Sequence, residues 1–289
     1  MNGILLVDKP PDFTSHDVVA KLRGLLRERR IGHSGTLDPM ATGLLVLFIG
    51  RATRAVQFAE NHEKEYIAGL RPGIVTDTQD ITGTVLRTGD KSFTAEELTA
   101  VLPDFTGDIM QIPPMYSAIK IDGKKLYEIA RKGGEVERKS RPVTISELQL
   151  LGEENGDFFL RIRCSKGTYI RTLCHDIGKK LGTGAALSYL RRTKCGSFSV
   201  ENSLTVDEIQ DLAGKGEIEE KLIPVDTLFC TSPSCTLNEV QKKKCLCGTS
   251  FDADLPDGNY RVYDEEGAFL MYANTQNGTM SVIKSFFEI

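Results

Sequence analysis

Apolar positions recur along this chain with two periods. Residues 3–7 form a short apolar run closed by Lys9-Pro10-Pro11, which predicts a strand stopped by proline. Thr14-Ser15 offers an N-cap with Asp17 in the first turn. Val18, Val19, Leu22, Leu25 and Leu26 follow at helical spacing, so 16–29 is predicted as an amphipathic helix. From 32 to 43 the periodicity stops, and three glycines and a proline predict a loop. Residues 44–49 are continuously apolar, as in a buried strand. Residues 63–71 and 82–88 alternate like strands joined by a polar turn at Thr76-Asp77-Thr78. Thr94 caps a short helix at 95–102, 143–151 and 158–164 read as paired strands, 169–181 as a helix, and Thr205 caps a helix near 206–213.

Two stretches break this texture. Residues 113–145 hold Pro113-Pro114, Gly133-Gly134 and the run Arg138-Lys139-Ser140-Arg141-Pro142, a composition that predicts a protruding, mobile segment rather than core. After Pro224 come short β-like pieces at 259–263, 269–273 and 281–287 with glycine turns between them, which predict a small all-β module.

Composition narrows the class. At 289 residues the chain is one large domain or two, and 40% apolar with 26% charged residues is ordinary for a globular protein. No apolar run approaches the ~18 residues of a membrane helix. Residues 1–10 lack a secretory pattern, and an odd seven cysteines fit reduced thiols, so a cytoplasmic protein is expected.

The net charge of −4 points by itself away from a nucleic-acid partner. Its distribution points the other way. Residues 160–195 hold nine Lys/Arg and one acid, 113–145 hold eight and four, and 1–60 hold eight and six. These stretches carry +14 against −18 elsewhere, with −9 in 196–289. Such a chain presents a basic face unless the charges are merely solvated helix surfaces.

Candidate chemistry centres on Gly32-His33-Ser34-Gly35-Thr36-Leu37-Asp38-Pro39-Met40-Ala41-Thr42-Gly43. A glycine-dense loop between a helix and a buried strand sets polar side chains at the mouth of a sheet. His33 and Asp38 as plain turn residues are the alternative, since Asp-Pro opens many turns. Lys64-Glu65-Tyr66 places a tyrosine on a strand beside charges, where a core or edge aromatic is the usual role. Lys166-Gly167-Thr168-Tyr169-Ile170-Arg171 puts an arginine in a helix's first turn. The dipole disfavours a cation there, so either a carboxylate holds it or it is a surface residue. Leu190-Arg191-Arg192 sets an apolar residue beside paired cations.

These pieces together resemble the TruB family of bacterial tRNA pseudouridine synthases acting at position 55. The resemblance covers essentially the whole chain. It rests on seven motifs in order: Asp8-Lys9-Pro10 with Thr14-Ser15-His16-Asp17; the 32–43 loop; Lys64-Glu65-Tyr66; Gly73 with Thr76-Asp77-Thr78, Asp80 and Gly83; Pro113-Pro114-Met115-Tyr116-Ser117-Ala118; 166–171; and Gly184-Ala185 with Leu190-Arg191-Arg192. Asp12, Ser34 and Pro72 depart from the family's usual residues, Asp12 standing in place of a glycine.

The resemblance implies an α+β pseudouridine-synthase fold: a mixed, mainly antiparallel sheet flanked by helices and loops, with a small C-terminal all-β PUA-like barrel. It implies a catalytic domain over 1–225, a thumb-like insertion near 120–141 and an RNA-binding module over 226–289. Asp38 resembles the aspartate nucleophile or base, Arg171 its ion-pair partner, and Tyr66 the tyrosine that stacks on the target base. Tyr169 and Leu190 resemble further pocket residues, Asp80 a polar neighbour, and His33 the side chain that fills the space of a flipped nucleotide. Lys64 and Lys9, in the motifs Lys64-Glu65-Tyr66 and Asp8-Lys9-Pro10, are taken as substrate-binding. The implied substrate is the T arm of tRNA, held by thumb cations including Lys120, Lys124, Lys125, Arg131, Lys132, Arg138, Lys139 and Arg141. No cofactor is implied by an isomerisation. Cys230, Cys235, Cys245 and Cys247 have poor zinc spacing, so no metal is expected. An RNA-binding or tRNA-folding chaperone is the alternative from another class. A guide-RNA particle subunit shares these motifs, but no basic tail follows here, so a monomer acting without a protein partner is expected.

Overall fold

The computed structural model describes residues 1–89, 92–121 and 123–287. Residue 122 of the thumb-like segment and residues 288 and 289 of the C-terminal segment therefore lie outside the described residues. The largest sheet has ten strands. Its path runs Leu204–Thr205, Gly3–Lys9, Thr42–Ile49, Ala185–Cys195, Lys64–Pro72, Asp157–Cys164, Arg141–Glu154, Gly107–Gln111, with Ile31–His33 and Phe198–Ser199 attached beside it. Most pairings are antiparallel. Gly3–Lys9 meets Leu204–Thr205, and Thr42–Ile49 meets Ala185–Cys195, in parallel.

The apolar strands explain where the core sits. Alternation on Gly3–Lys9 and Thr42–Ile49 sends Ile4, Leu6, Leu44, Val46 and Phe48 to one face and Leu5, Val7, Leu45, Leu47 and Ile49 to the other. The second face is covered by helices Ser15–Leu26 and Val206–Lys215. The first is covered by Val225 and Phe229 together with Phe269, Tyr272 and Phe286 of the C-terminal region. There Phe229 stacks on Tyr272 with ring centroids 4.1 Å apart. Both faces of these strands are thus buried, which is why they read as unbroken apolar runs. Helix Ile170–Lys180 covers the other half of the sheet, placing Ile170, Leu173 and Ile177 on Ala68, Leu70, Leu160 and Ile162.

Helix Ser15–Leu26 starts with a capping box: Thr14 Oγ1 accepts from the Asp17 amide while the Asp17 carboxylate accepts from the Thr14 amide. It stops earlier than the hydrophobic pattern predicts, because Arg27 adopts a left-handed conformation with φ 51°. Thr94 and Thr205 make the same box at helices Ala95–Val101 and Val206–Lys215.

Four sequence expectations change. The strands read at 63–71 and 82–88 do not pair with each other. Lys64–Pro72 lies inside the large sheet, while Val85–Thr88 pairs with Ile74–Thr76 in a separate hairpin. Strand Ala185–Cys195 escaped the pattern because Arg191 and Arg192 read as surface, although Arg192 is buried and Arg191 only partly exposed. The 113–145 stretch is largely exposed but not featureless: it holds a hairpin, Lys120–Ile121 with Lys124–Lys125, and helix Leu126–Ala130, and its end opens the long strand Arg141–Glu154. The C-terminal sheet, ordered Ser234–Thr236, Gly258–Tyr263, Phe269–Gln276, Thr279–Ser285, Phe251–Asp252, is a curled half-barrel that also carries helix Glu239–Leu246, capped by Asn238. No helix among the described residues is long and apolar enough to cross a membrane.

Candidate active site

The loop between Ile31–His33 and Thr42–Ile49 is pinned from several sides. Buried Ser15 accepts a hydrogen bond from the Leu37 amide at 2.8 Å and donates to the Leu37 carbonyl at 3.2 Å. The Pro39 carbonyl accepts from the Asp12 amide (2.9 Å) and from Lys9 Nζ (3.1 Å). Asp12 takes φ 62°, the left-handed conformation glycine adopts at no steric cost, so the turn survives the departure from glycine. Gly43 has φ 97°, and a Cβ there would lie 2.3 Å from the Arg192 carbonyl oxygen, so the loop's far end admits only glycine. Leu37 and Ala41 drop into the core beside Tyr66, Ile170 and Leu190, which leaves Asp38 between them at the rim.

Arg171 meets Asp38 from the first turn of its helix. Nε lies 2.9 Å from Oδ2, and Nη2 donates to Oδ1 at 3.3 Å. The arginine is 5% exposed and the aspartate 37%, so the pair is fixed from below and open above. The same guanidinium donates to the carbonyls of Thr78 (2.9 Å) and Tyr116 (2.8 Å) and lies 3.8 Å from Asp80 Oδ2. One side chain thus ties three segments around one carboxylate. Asp80 is occupied by its own turn, accepting from the Thr78 and Thr82 hydroxyls and the Thr82 amide. The carboxylate partner demanded by a cation at a helix N-terminus is present.

Tyr169 stands at that helix's N-cap, where burial raises its phenol pKa and the Arg171 charge opposes the rise. Its backbone is held by Gln111, which donates to the Tyr169 carbonyl (3.0 Å) and accepts from its amide (2.8 Å). Tyr66 is buried, and burial pushes its phenol up to about 12 despite the nearby Arg192 charge. It is a neutral hydroxyl at neutral pH. His33 ends its short strand half-buried, with Nδ1 unpartnered and its pKa held below the usual histidine value by burial and by Arg192. Its ring is therefore mostly neutral near pH 7.

Asp38, Arg171, Asp80, Tyr169, Tyr66 and Leu190 come together around the loop. Lys9 and Lys64 are placed beneath it. Lys9 is 0% exposed and donates to the carbonyls of Pro10 (2.8 Å), Phe13 and Pro39. Lys64 is buried and donates to the Glu60 carbonyl at 2.7 Å. Burial lowers both lysine pKa values, Lys9 to about 8. Ser15, Gln111 and Arg192 were not singled out as site residues from sequence. Ser15 lay within a quoted motif, whereas nothing local marks Gln111.

Among the described residues no cluster of three or more His, Cys, Asp or Glu side chains is placed to hold a metal ion. Cys230 and Cys247 are exposed, Cys235 is half-buried, and Cys245 packs its sulfur 3.4 Å from that of Met271.

A family model described as TruB family pseudouridylate synthase (N terminal domain) matches residues 23–170, and one for the tRNA pseudouridylate synthase B C-terminal domain matches 171–230. A tRNA pseudouridine synthase B of Opitutus terrae is 52% identical over 78% of this chain and 93% of its own length. One of Francisella tularensis subsp. novicida is 40% identical over 100% and 95%. A solved structure described as a Cbf5-Nop10-Gar1 complex superposes with a TM-score of 0.74 at 25% identity, covering 99% of this chain and 85% of that one. The expected α+β fold with its PUA-like C-terminal sheet is therefore present. Matched by family models over most of its length and by relatives at 40–52% identity, the chain belongs to the TruB family of pseudouridylate synthases.

Proposed function

We propose that this protein isomerises uridine 55 in the T loop of tRNA to pseudouridine, with Asp38 as the reacting carboxylate. It is an isomerase of the pseudouridine synthase family, and its relatives are named for action on tRNA. The observation that carries the site assignment is the Asp38–Arg171 ion pair, buried on the arginine side and open on the carboxylate side.

The reaction breaks the bond from ribose to N1 of uracil, turns the base and joins the ribose to C5. The proton of C5 leaves, and N1 gains one, so the net change is zero. A permanently charged arginine aims the Asp38 carboxylate through two contacts, which suits a nucleophile or base. Tyr66 offers a buried ring face on which an extruded base stacks, and its neutral hydroxyl keeps that face free of charge. Leu190 and Tyr169 complete an apolar rim. Half-buried, neutral His33 suits the stacking role of a side chain that replaces a flipped base. Lys9 and Lys64 act by holding the loop and strand from below.

In this reading residues 1–225 form the catalytic domain and 226–289 the PUA-like RNA-binding module. The thumb near 120–141 closes on the T arm, and the enzyme works as a monomer. Unmodified tRNA tritiated at C5 of uridine tests the assignment. Tritium release by the wild type and none by Asp38→Asn is the expected result. Equal release by both would end it. Release from a site outside the T loop would keep the chemistry and overturn the substrate.

A further inference from the structure

We propose that Arg192 is a positioning residue for this reaction, tying the strand that carries Tyr66 to Gly35 and Gly43 of the Asp38 loop so that base-holding and reacting groups keep one register. The inference rests on the functional reading above and adds a residue to it.

Arg192 is 1% exposed and is among the largest fully buried side chains. It sits on the strand between the two elements that matter. Its backbone pairs with Tyr66 on one side and with Gly43, the end of the loop, on the other. Its side chain repeats that bridge. Nε donates to the Leu44 carbonyl at 2.7 Å and Nη2 to the Gly35 carbonyl at 3.1 Å, and its charge is close enough to bear on the Tyr66 phenol. A Cβ added at Gly35 would lie 3.3 Å from Nη1 and one at Gly43 would collide with the Arg192 carbonyl. Gly35 and Gly43, two of the three glycines in 32–43, are therefore packed onto this one residue.

Its electrostatics separate it from its neighbours. Arg191 forms a two-pronged pair with Asp8 (3.0 and 2.7 Å), and Arg163 pairs with Glu65 at 2.7 Å. No carboxylate among the described residues pairs with Arg192. A buried cation without a counter-charge is costly, and a purely structural arginine is ordinarily neutralised by a partner. Here the field instead falls on the site: it adds to the lowering that burial imposes on His33, Lys64 and Lys9, and opposes the rise that burial imposes on Tyr66. A planar fork with five donors holds the Leu44 and Gly35 carbonyls at once in fixed directions, which an ammonium does less well.

The test reads Tyr66 directly. Protein carrying 3-fluorotyrosine is titrated by fluorine NMR, with the Tyr66 resonance assigned by its loss in Tyr66→Phe. Cys164 and Cys195 also face this phenol and are unchanged in every variant. Arg192→Gln is expected to move the Tyr66 midpoint to higher pH and to lower turnover on T-arm RNA by about 10²-fold, with RNA affinity nearly unchanged. Arg192→Lys, which keeps the charge and loses the fork, is expected to recover part of the midpoint shift and little of the turnover. It also serves if the glutamine variant fails to fold. An unmoved midpoint in a folded variant, or a moved midpoint with full turnover, overturns the proposal. The NMR arm needs no catalysis, so a failure here is distinguishable from a failure of the Asp38 assignment, which tritium release by Asp38→Asn reports.

Discussion

The stretches 160–195 and 120–141 are both basic in sequence but hold their charge in opposite ways. In the first, Arg163 is taken by Glu65 and Glu147, Arg171 by Asp38, Lys180 by Asp104 and Arg191 by Asp8, and Arg192 is buried. Much of its +8 never reaches solvent as free charge. In the second, Lys120, Lys124, Arg131, Lys132, Lys139 and Arg141 are exposed, and among the described residues one ion pair, Arg138 with Glu135 at 3.2 Å, draws on the segment. The smaller net charge thus makes the more available patch. The first stretch builds a site, and the second is the stronger candidate for phosphate contact.

This contrast breaks most sharply at Arg171. If Asp38 reacts as proposed, Arg171→Ala is expected to lower tritium release by about 10³-fold or more, within the range for general acid–base groups. Arg171→Lys should rescue only part, because an ammonium cannot span Asp38, Thr78 and Tyr116 together. Turnover within tenfold of wild type in Arg171→Ala would remove the distinction.

Lys9 is the next test, as a buried cation outside both stretches. Its folded-state pKa of about 8 lies below the ordinary 10.5. Between those values the unfolded chain holds more protons, so the buried charge weakens the fold at pH 7 and the penalty disappears as pH rises toward 10.5. Relative to Lys9→Met, the wild type should gain of order 3 kcal/mol in urea unfolding over that range. A flat difference would mean that the three carbonyls around Nζ offset its burial completely.

Neutralising Lys120, Lys124, Arg131, Lys132 and Lys139 together should leave turnover at saturating RNA near wild type. The salt slope of log affinity should fall by about 4. The same number of substitutions at paired bases of 160–195 should disturb folding first, and an unchanged slope in the thumb variant would reverse the comparison. The smallest effect is expected at Lys180, whose 3.0 Å pair with Asp104 is half-exposed at both ends. Lys180→Ala should shift the unfolding free energy by less than about 1 kcal/mol.

The element order was largely legible. Capping boxes at Thr14, Thr94 and Thr205 and the apolar run before Ile49 are local signals, and the helices and strands form where they point. Boundaries shifted where one residue's dihedral decided, as at Arg27. Strand Ala185–Cys195 was not legible, because Leu190-Arg191-Arg192 has the texture of a surface. Helix Glu239–Leu246 was missed for a similar reason: three consecutive lysines hide its single buried residue, Cys245. In the site, Asp38, Tyr66 and Arg171 stand in recognisable motifs. Gln111 does not, because its role depends on a strand edge meeting a helix start 58 residues away.

By itself, the sequence determined the local grammar of this protein: which residues cap helices, where glycine must open a loop, and which aspartate lies inside it. These follow from neighbours within a few positions and from side-chain chemistry. Only the tertiary structure decided which basic side chains are paired and which residue stands behind the Asp38 loop. Charge is cancelled by partners far apart in sequence, 133 residues for Asp38 and Arg171 and 183 for Asp8 and Arg191. The burial of Arg192 follows from a parallel pairing with Thr42–Ile49 that no local pattern encodes.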